Sequence, residues 1–348
     1  MLFSLLVLIV LAIIALVKMR RSNKSGIIIP LFYPPHTILP GLARFIVRQS
    51  YDEKCLAAEI IQMAVDGVLT IHYELSSFGV GTYSLKKIAD LDTKESFTRR
   101  KVFEYLFQAS PTLIIDAQWR NRDALMSANS FLMREYERRY APQYFDDNSF
   151  WVGLIFLISC LVVLYIGLAM KFSGRETWFG IAIGILLLIN LVINKYSHTY
   201  SALGRALADQ LAGFKLFLIT AETERLRIVG TPPTRTPELY EKYLPYALAL
   251  DVEEAWSYQF APVFAHYAQT GKDYAPIWFD GAQWSLLRSN LLGAQIAQAV
   301  YAIRVSSDSS DKHNKMSTPP GDRPGSNSGF GGGGYSGGGG GGGGVGGC

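Results

Sequence analysis

The stretch from Trp151 to Met170, "WVGLIFLISCLVVLYIGLAM", decides how the rest of the chain is read. It carries no charge, and at about 1.5 Å per residue it reaches about 30 Å, the thickness of a bilayer's hydrocarbon core. Two further blocks share its character: "LFSLLVLIVLAIIALV" from Leu2 to Val17, and "WFGIAIGILLLINLVI" from Trp178 to Ile193. The 49% hydrophobic content of the 348-residue chain is concentrated in these blocks, so composition alone points away from several evenly mixed domains. The expected fold is a mainly α integral membrane protein with transmembrane helices over 1–17, 151–170 and 178–194. The second and third form a hairpin about a short external loop, 171–177.

The first block has no basic residue ahead of it and no small-x-small site before the charges, which favours an uncleaved anchor over a signal peptide. Lys18, Arg20, Arg21 and Lys24 follow it, Arg134, Arg138 and Arg139 precede the second block, and Lys195 follows the third. The intervening loop holds only Lys171 and Arg175 with Glu176. The positive-inside rule then puts the N-terminus outside and both polar segments, 18–150 and 195–305, on the cytoplasmic side of the inner membrane. Trp151, Trp178 and Tyr196 fall at interface depth. The partners expected are the lipid bilayer, a cytoplasmic protein and a second copy of the chain.

The formal charge of +4 sits mostly at the membrane flanks, and acids nearly balance bases elsewhere, so no nucleic-acid surface is expected. Cys55, Cys160 and Cys348 show no CxxC spacing, so neither a zinc ribbon nor a disulfide framework is suggested. No cofactor is implied.

In the first polar segment, Pro30, Pro34, Pro35 and Pro40 keep the chain extended. A short helix follows over Leu42 to Arg48. A second begins near Asp52, with Leu56, Ile60, Met63 and Ala64 on one face and Gly67 as its C-cap. "VLTIHYEL" and "TYSLKKI" alternate as two strands joined by "SSFGVGT". Two helices and a two-stranded wing make the plan of a winged helix over about 38–88. The would-be recognition helix carries Asp52, Glu53, Glu59 and Asp66 against Lys54 alone, so protein docking is the better reading than DNA binding. His72 is expected to be a half-buried strand residue. "RRKVFEYLF" and "FLMREYERRY" read as amphipathic helices whose arginines face anionic lipid headgroups.

In the second polar segment, Leu203, Leu207, Leu211, Phe214 and Leu218 mark one long helix, with Gly204, Ala208 and Ala212 as a small-residue row for close approach. After "GTPPTRTP", Thr236 caps a helix with Pro237 at its first position. Pro245 interrupts that helix, and Asp251 with Glu254 stands in capping-box spacing for another. Asn190 and Asn194 in the third block are expected to make helix-to-helix hydrogen bonds.

The runs "GFKLFLITAETERLR" and "YEKYLPYALALDVEEAWSYQFAPVF", the poly-glycine end, and the earlier "YPP" and "AVDGVLTI" steps resemble the bacterial YciQ-like predicted membrane proteins, a family catalogued as a domain of unknown function. The resemblance runs from about Pro30 to the C-terminus and supplies no catalytic residues. It covers only the membrane and cytoplasmic portion, because such proteins generally begin with a signal peptide and an extracytoplasmic β-rich domain.

From 306 to 348 the chain is expected to be a disordered Gly-rich tail, since a glycine has no side chain whose burial offsets its ordering entropy. The leading reading is a non-enzymatic, membrane-anchored interaction or regulatory module. The alternative is an enzyme with a site where the two polar segments meet, using Glu222, Glu224, His266 or Asp280. Candidate residues for a functional surface are Glu222, Glu224, Arg225, Tyr246 and Trp256.

Overall fold

The computed structural model describes residues 2–36, 38–75, 81–115, 121–170, 176–197, 199–220, 231–269, 274–281 and scattered positions between 293 and 301. These lie in one unit, Met1–Ser306; the remaining residues form a second unit, and the expected tail disorder falls outside the described residues.

Three helices form one part: α1 (Leu2–Ser22), α7 (Ser149–Met170) and α8 (Glu176–Tyr196). Ala12, Ala15 and Met19 of α1 pack on Ile155 of α7 and Ile193 of α8, and the small alanines let the helix axes approach. The Asn190 amide donates to Ser159 Oγ at 2.9 Å, which is the expected bond between helices; Asn194 is exposed.

Among the described residues, however, no helix is long and apolar enough to cross a membrane. The three expected spans are therefore corrected: the chain is a mainly helical α/β protein with a mixed four-stranded sheet. The physical reason lies in the helix bounds. Helix α1 takes in Lys18, Arg20 and Arg21, and α8 begins at Glu176 and takes in Lys195, so their apolar runs reach only about 24 Å against a ~30 Å core. The orientation with the N-terminus outside rested on those crossings.

The other part is built around α2 (Pro40–Arg48) and α3 (Glu53–Val65), followed by β1 (Leu69–Leu75) and β2 (Gly81–Lys87). Gly67, at φ 77°, turns the chain out of α3 as its sequence position implies. The expected free wing is a second correction. Strands β1 and β2 are the centre of a sheet ordered β3-β2-β1-β6, with β3 (Thr112–Ile115) antiparallel to β2 and β6 (Phe279–Gly281) parallel to β1. Both hairpin edges are thus paired. Helix α3 is not presented as a docking face either, because residues on all its sides are buried.

Helix α4 (Phe97–Phe107) and α5 (Arg122–Glu135) pack on this core. Then α5 passes into a π-helical turn, Tyr136–Tyr140, continues as α6 (Ala141–Tyr144), and leads to β4 (Phe145–Asp146), which pairs with β5 (Thr199–Tyr200) just before α9 (Ala202–Ile219). Gly204 in α9 is required by close approach to the end of α6: a Cβ there would stand 1.9 Å from the Tyr144 carbonyl oxygen.

Helix α10 (Pro237–Ala249) starts as its sequence dictates, with the Thr236 hydroxyl accepting from Leu239 N–H and Pro237 in the first turn. It runs through Pro245 without interruption, because Tyr243, Leu244, Ala247 and Leu248 are buried in the core on both sides of the proline. Helix α11 (Glu253–Gln269) follows. Asp251 does not cap it: the residue sits at φ 53°, and its carboxylate accepts from Arg48 and Lys54, each at 2.6 Å.

Candidate functional site

The site begins with a misplaced-looking charge. Glu59 lies three residues after Leu56 and four before Met63, so the helical period turns it to the apolar face of α3. It is 3% exposed. One oxygen, Oε1, accepts from Gly41 N–H at 3.1 Å and from the Tyr136 hydroxyl at 3.2 Å. The first bond has a clear local cause. Leu39, at the N-cap of α2, offers no side-chain acceptor, so one of the orphan donors in the first turn takes the Glu59 carboxylate instead. Gly41 is needed for it, because a Cβ there would stand 2.7 Å from Cys55 O and 2.8 Å from Glu59 Cγ. The second oxygen, Oε2, is buried with no hydrogen-bond partner among the described residues.

Facing it is Arg99, at the start of α4 and 5% exposed. Ser96 fixes that start by accepting from Arg99 N–H at 3.2 Å. The Arg99 guanidinium pairs with Asp66 and, at 3.2 Å, with Glu95, while its Nε has no hydrogen-bond partner among the described residues. For Arg99 this corrects the expectation that the arginines of this helix face lipid headgroups, since two carboxylates hold it inside; Arg100 is exposed. Arg139 pairs with Glu135 at 3.1 Å.

Between Glu59 and Arg99 lies a cavity of about 170 Å³. Tyr136, Tyr140 and Tyr144 line one side, and Ile38, Leu42 and Met63 line another. The rings of Tyr136 and Tyr140 meet edge to face at 5.7 Å, and those of Tyr140 and Tyr144 are near parallel at 6.3 Å. The π turn carries two of these rings, and such a turn is often found where a helix is bent to serve a site.

Burial pushes the Glu59 carboxyl up, against the lowering pull of the Arg99 charge and the bonds from Tyr136 and Gly41, to about 7. The same burial and the Glu59 charge push the Tyr136 hydroxyl well up, which keeps it a donor. The residues around the cavity therefore include one carboxyl able to change charge near neutral pH, one buried guanidinium and three tyrosines.

A second cluster ties distant stretches together. Arg44, 3% exposed at its side chain, bonds Asp52 at 2.5 Å, Asp251 at 3.0 Å and the Ala249 carbonyl at 3.1 Å. Burial would raise the Asp251 carboxyl, but the Lys54 bond and the Arg44 charge outweigh it and hold it at about 2.

Of the residues singled out in the sequence, Glu222, Glu224 and Arg225 lie outside the described residues. Trp256 is buried, with its indole N–H donating to Tyr240 O at 3.2 Å. The Tyr246 hydroxyl donates to Ile38 O at 2.9 Å. His266 is exposed on α11, and Asp280 on β6 stands 3.3 Å from His72 Nδ1. Among the described residues there is no group of three His, Cys, Asp or Glu side chains suited to a metal ion. Sequence reasoning counted Glu59 only as a surface charge; its place on the Leu56–Met63 row was the signal that could have found it.

No curated protein and no solved structure matches the chain. Residues 29–260, which contain the Glu59 cavity and the α10–α11 region, match the family described as predicted membrane protein (DUF2207), C-terminal domain, and the chain belongs to that family.

Proposed function

We propose that the protein is a non-enzymatic interaction or regulatory module held at a lipid bilayer by the outer surface of α1, α7 and α8. The observation that carries this reading is that surface itself. Ile13, Ile14, Leu157, Leu161, Leu188 and Leu191 are each more than half exposed, on three helices that pack together. Soluble monomers rarely leave so extended an apolar surface in water, and the family's description as a predicted membrane protein supports lipid as its occupant. Lys18, Arg20, Arg21 and Lys24 are exposed at the end of α1, where they complement anionic headgroups and put the globular part on the cytoplasmic face of the inner membrane.

Among the described residues of the enzyme reading, His266 and Asp280 are exposed and neither lines the Glu59 cavity. Flotation of the full chain with vesicles of mixed anionic and zwitterionic lipid tests the proposal. The protein should float with the vesicles and resist both high salt and alkaline carbonate. Recovery in the salt wash would refute an apolar attachment.

A further inference from the structure

We propose that the groove between α1 and α8 holds one acyl chain of an anionic phospholipid, whose headgroup lies against the basic end of α1. The inference rests on the reading that these helices meet lipid, and it adds one defined site to that surface.

The groove comes from side-chain size. Apolar side chains between Ile9 and Leu16 of α1 and between Ile185 and Val192 of α8 line a space of about 260 Å³, and no polar side chain lines it. Ala12 leaves the room: it is buried against α8 with only a methyl group to fill the gap. Ile13 and Leu188 beside it are more than half exposed, so the groove opens on the outer surface. The two helices run in the same direction. Asn23, just past α1, accepts from the N–H of Tyr200, just past α8, at 3.1 Å, and the Tyr200 hydroxyl donates to Ile46 O in the globular part.

Three observations select the occupant. The first is shape. From Ile9 to Leu16 the helix rises about 10 Å, so the space has a cross-section of about 25 Å², about 5 Å across. A helix with its side chains is about 10 Å wide and cannot lie in it, whereas one alkyl chain can. The second is the lining. A peptide backbone placed there would give up its hydrogen bonds to water and find no replacement, but an alkyl chain has none to lose. The third is charge. On α1 the row Ile9, Ile13, Leu16 continues at helical spacing to Arg20, about 6 Å further on, where Lys18 and Arg21 are also exposed. An anionic headgroup complements this end of the groove. The lipid's second chain has exposed apolar surface of the same helices to cover, at Ile14 and Leu187, which a free fatty acid would leave bare.

Native mass spectrometry of the full chain in mild detergent, titrated with phosphatidylglycerol or phosphatidylcholine of the same acyl chains, tests the proposal. One phosphatidylglycerol should bind saturably per chain, at least about fivefold more tightly than phosphatidylcholine, which is the worth of one basic residue near an anionic headgroup. Arg20→Gln should lower that preference by about fivefold. Leu188→Trp fills the groove from an exposed position and should weaken the adduct at least about tenfold, the worth of about two buried methylenes. Leu161→Trp, on the exposed surface of α7 and away from the groove, should leave it unchanged. Urea denaturation of each variant reports that it folds. Equal binding of the two lipids, an adduct unchanged in Leu188→Trp, displacement by an equal concentration of oleic acid, or a dimer that Leu188→Trp dissociates would each overturn the proposal. Vesicle flotation of the wild type, run in parallel, separates the two readings. A chain that floats without a saturable phosphatidylglycerol adduct overturns the groove site and leaves lipid attachment standing; a chain that does not float overturns both.

Discussion

Replacing Glu59 by Gln changes one charge and almost no volume, and the structure sets both the sign and the size of the effect. The Gln carbonyl oxygen can still accept from Gly41 N–H and the Tyr136 hydroxyl, so the packing stays intact. In the folded wild type the carboxyl titrates at about 7 instead of the ordinary 4.5, because burial disfavours its charge. Between these values the folded chain holds a proton that the unfolded chain has released, so wild-type stability falls as pH rises from about 4.5 and levels off above about 7. The interval of about 2.5 pH units, at about 1.4 kcal/mol each, is worth about 3 kcal/mol.

Glu59→Gln lacks this dependence. Near pH 4.5 it should match the wild type within about 1 kcal/mol, and at pH 8 it should be the more stable by about 3 kcal/mol. Urea denaturation of both full-length chains in the same detergent, followed by circular dichroism across this range, measures the difference directly, since every other titrating group cancels. Parallel curves with a constant offset would refute the assignment of a buried, proton-holding carboxyl at position 59.

Three further outcomes follow from named contacts. Gly41→Ala forces a Cβ to within 2.7 Å of Cys55 O, and it should cost about 1 to 3 kcal/mol in the same denaturation assay. Asp251→Asn keeps a residue that tolerates positive φ but removes the charge shared by Arg44, Arg48 and Lys54; with the carboxylate about a third exposed, the loss should be about 1 to 2 kcal/mol at pH 7. Because that carboxyl titrates at about 2, below the ordinary 3.8, its contribution is present above 3.8 and disappears as pH falls towards 2, where mutant and wild type should converge. Thr236→Ala removes the cap of α10 and should lower stability by about 1 kcal/mol, read as a lower urea midpoint with an unchanged slope.

Features fixed by a few neighbouring residues were legible in the sequence. Thr236 with Pro237 marked the start of α10, Gly67 marked the end of α3, and alternation marked β1 and β2, because each signal acts within one turn or one strand. The misses come from contacts between distant stretches. Nothing near "VLTIHYEL" announces that Phe279 will pair beside Ile71, so the hairpin read as a free wing. Pro245 looked like a break because a local rule applies to helices in water, whereas here the core on both sides holds the helix together. Asp251 had capping-box spacing, yet Arg44, Arg48 and Lys54 from the first polar segment claim its carboxylate. Glu59 and Arg99 were read as surface charges because their partners, Gly41, Tyr136 and Asp66, come from other elements. The apolar blocks were legible as helices, but the reading of the first and third as spans left out the charges that α1 and α8 take in within their bounds.

The account's central claim is that the outer surface of α1, α7 and α8 meets lipid. It is tested most directly by attaching an environment-sensitive fluorophore to single cysteines placed by Leu161→Cys, Leu191→Cys and, as a polar reference, Thr93→Cys, with Cys160 and Cys348 replaced by serine. In vesicles carrying spin-labelled lipid, the probes at 161 and 191 should be quenched by the lipid label and shielded from aqueous iodide, and the probe at 93 should show the reverse. Equal access of iodide to all three, with no quenching by lipid, would contradict it.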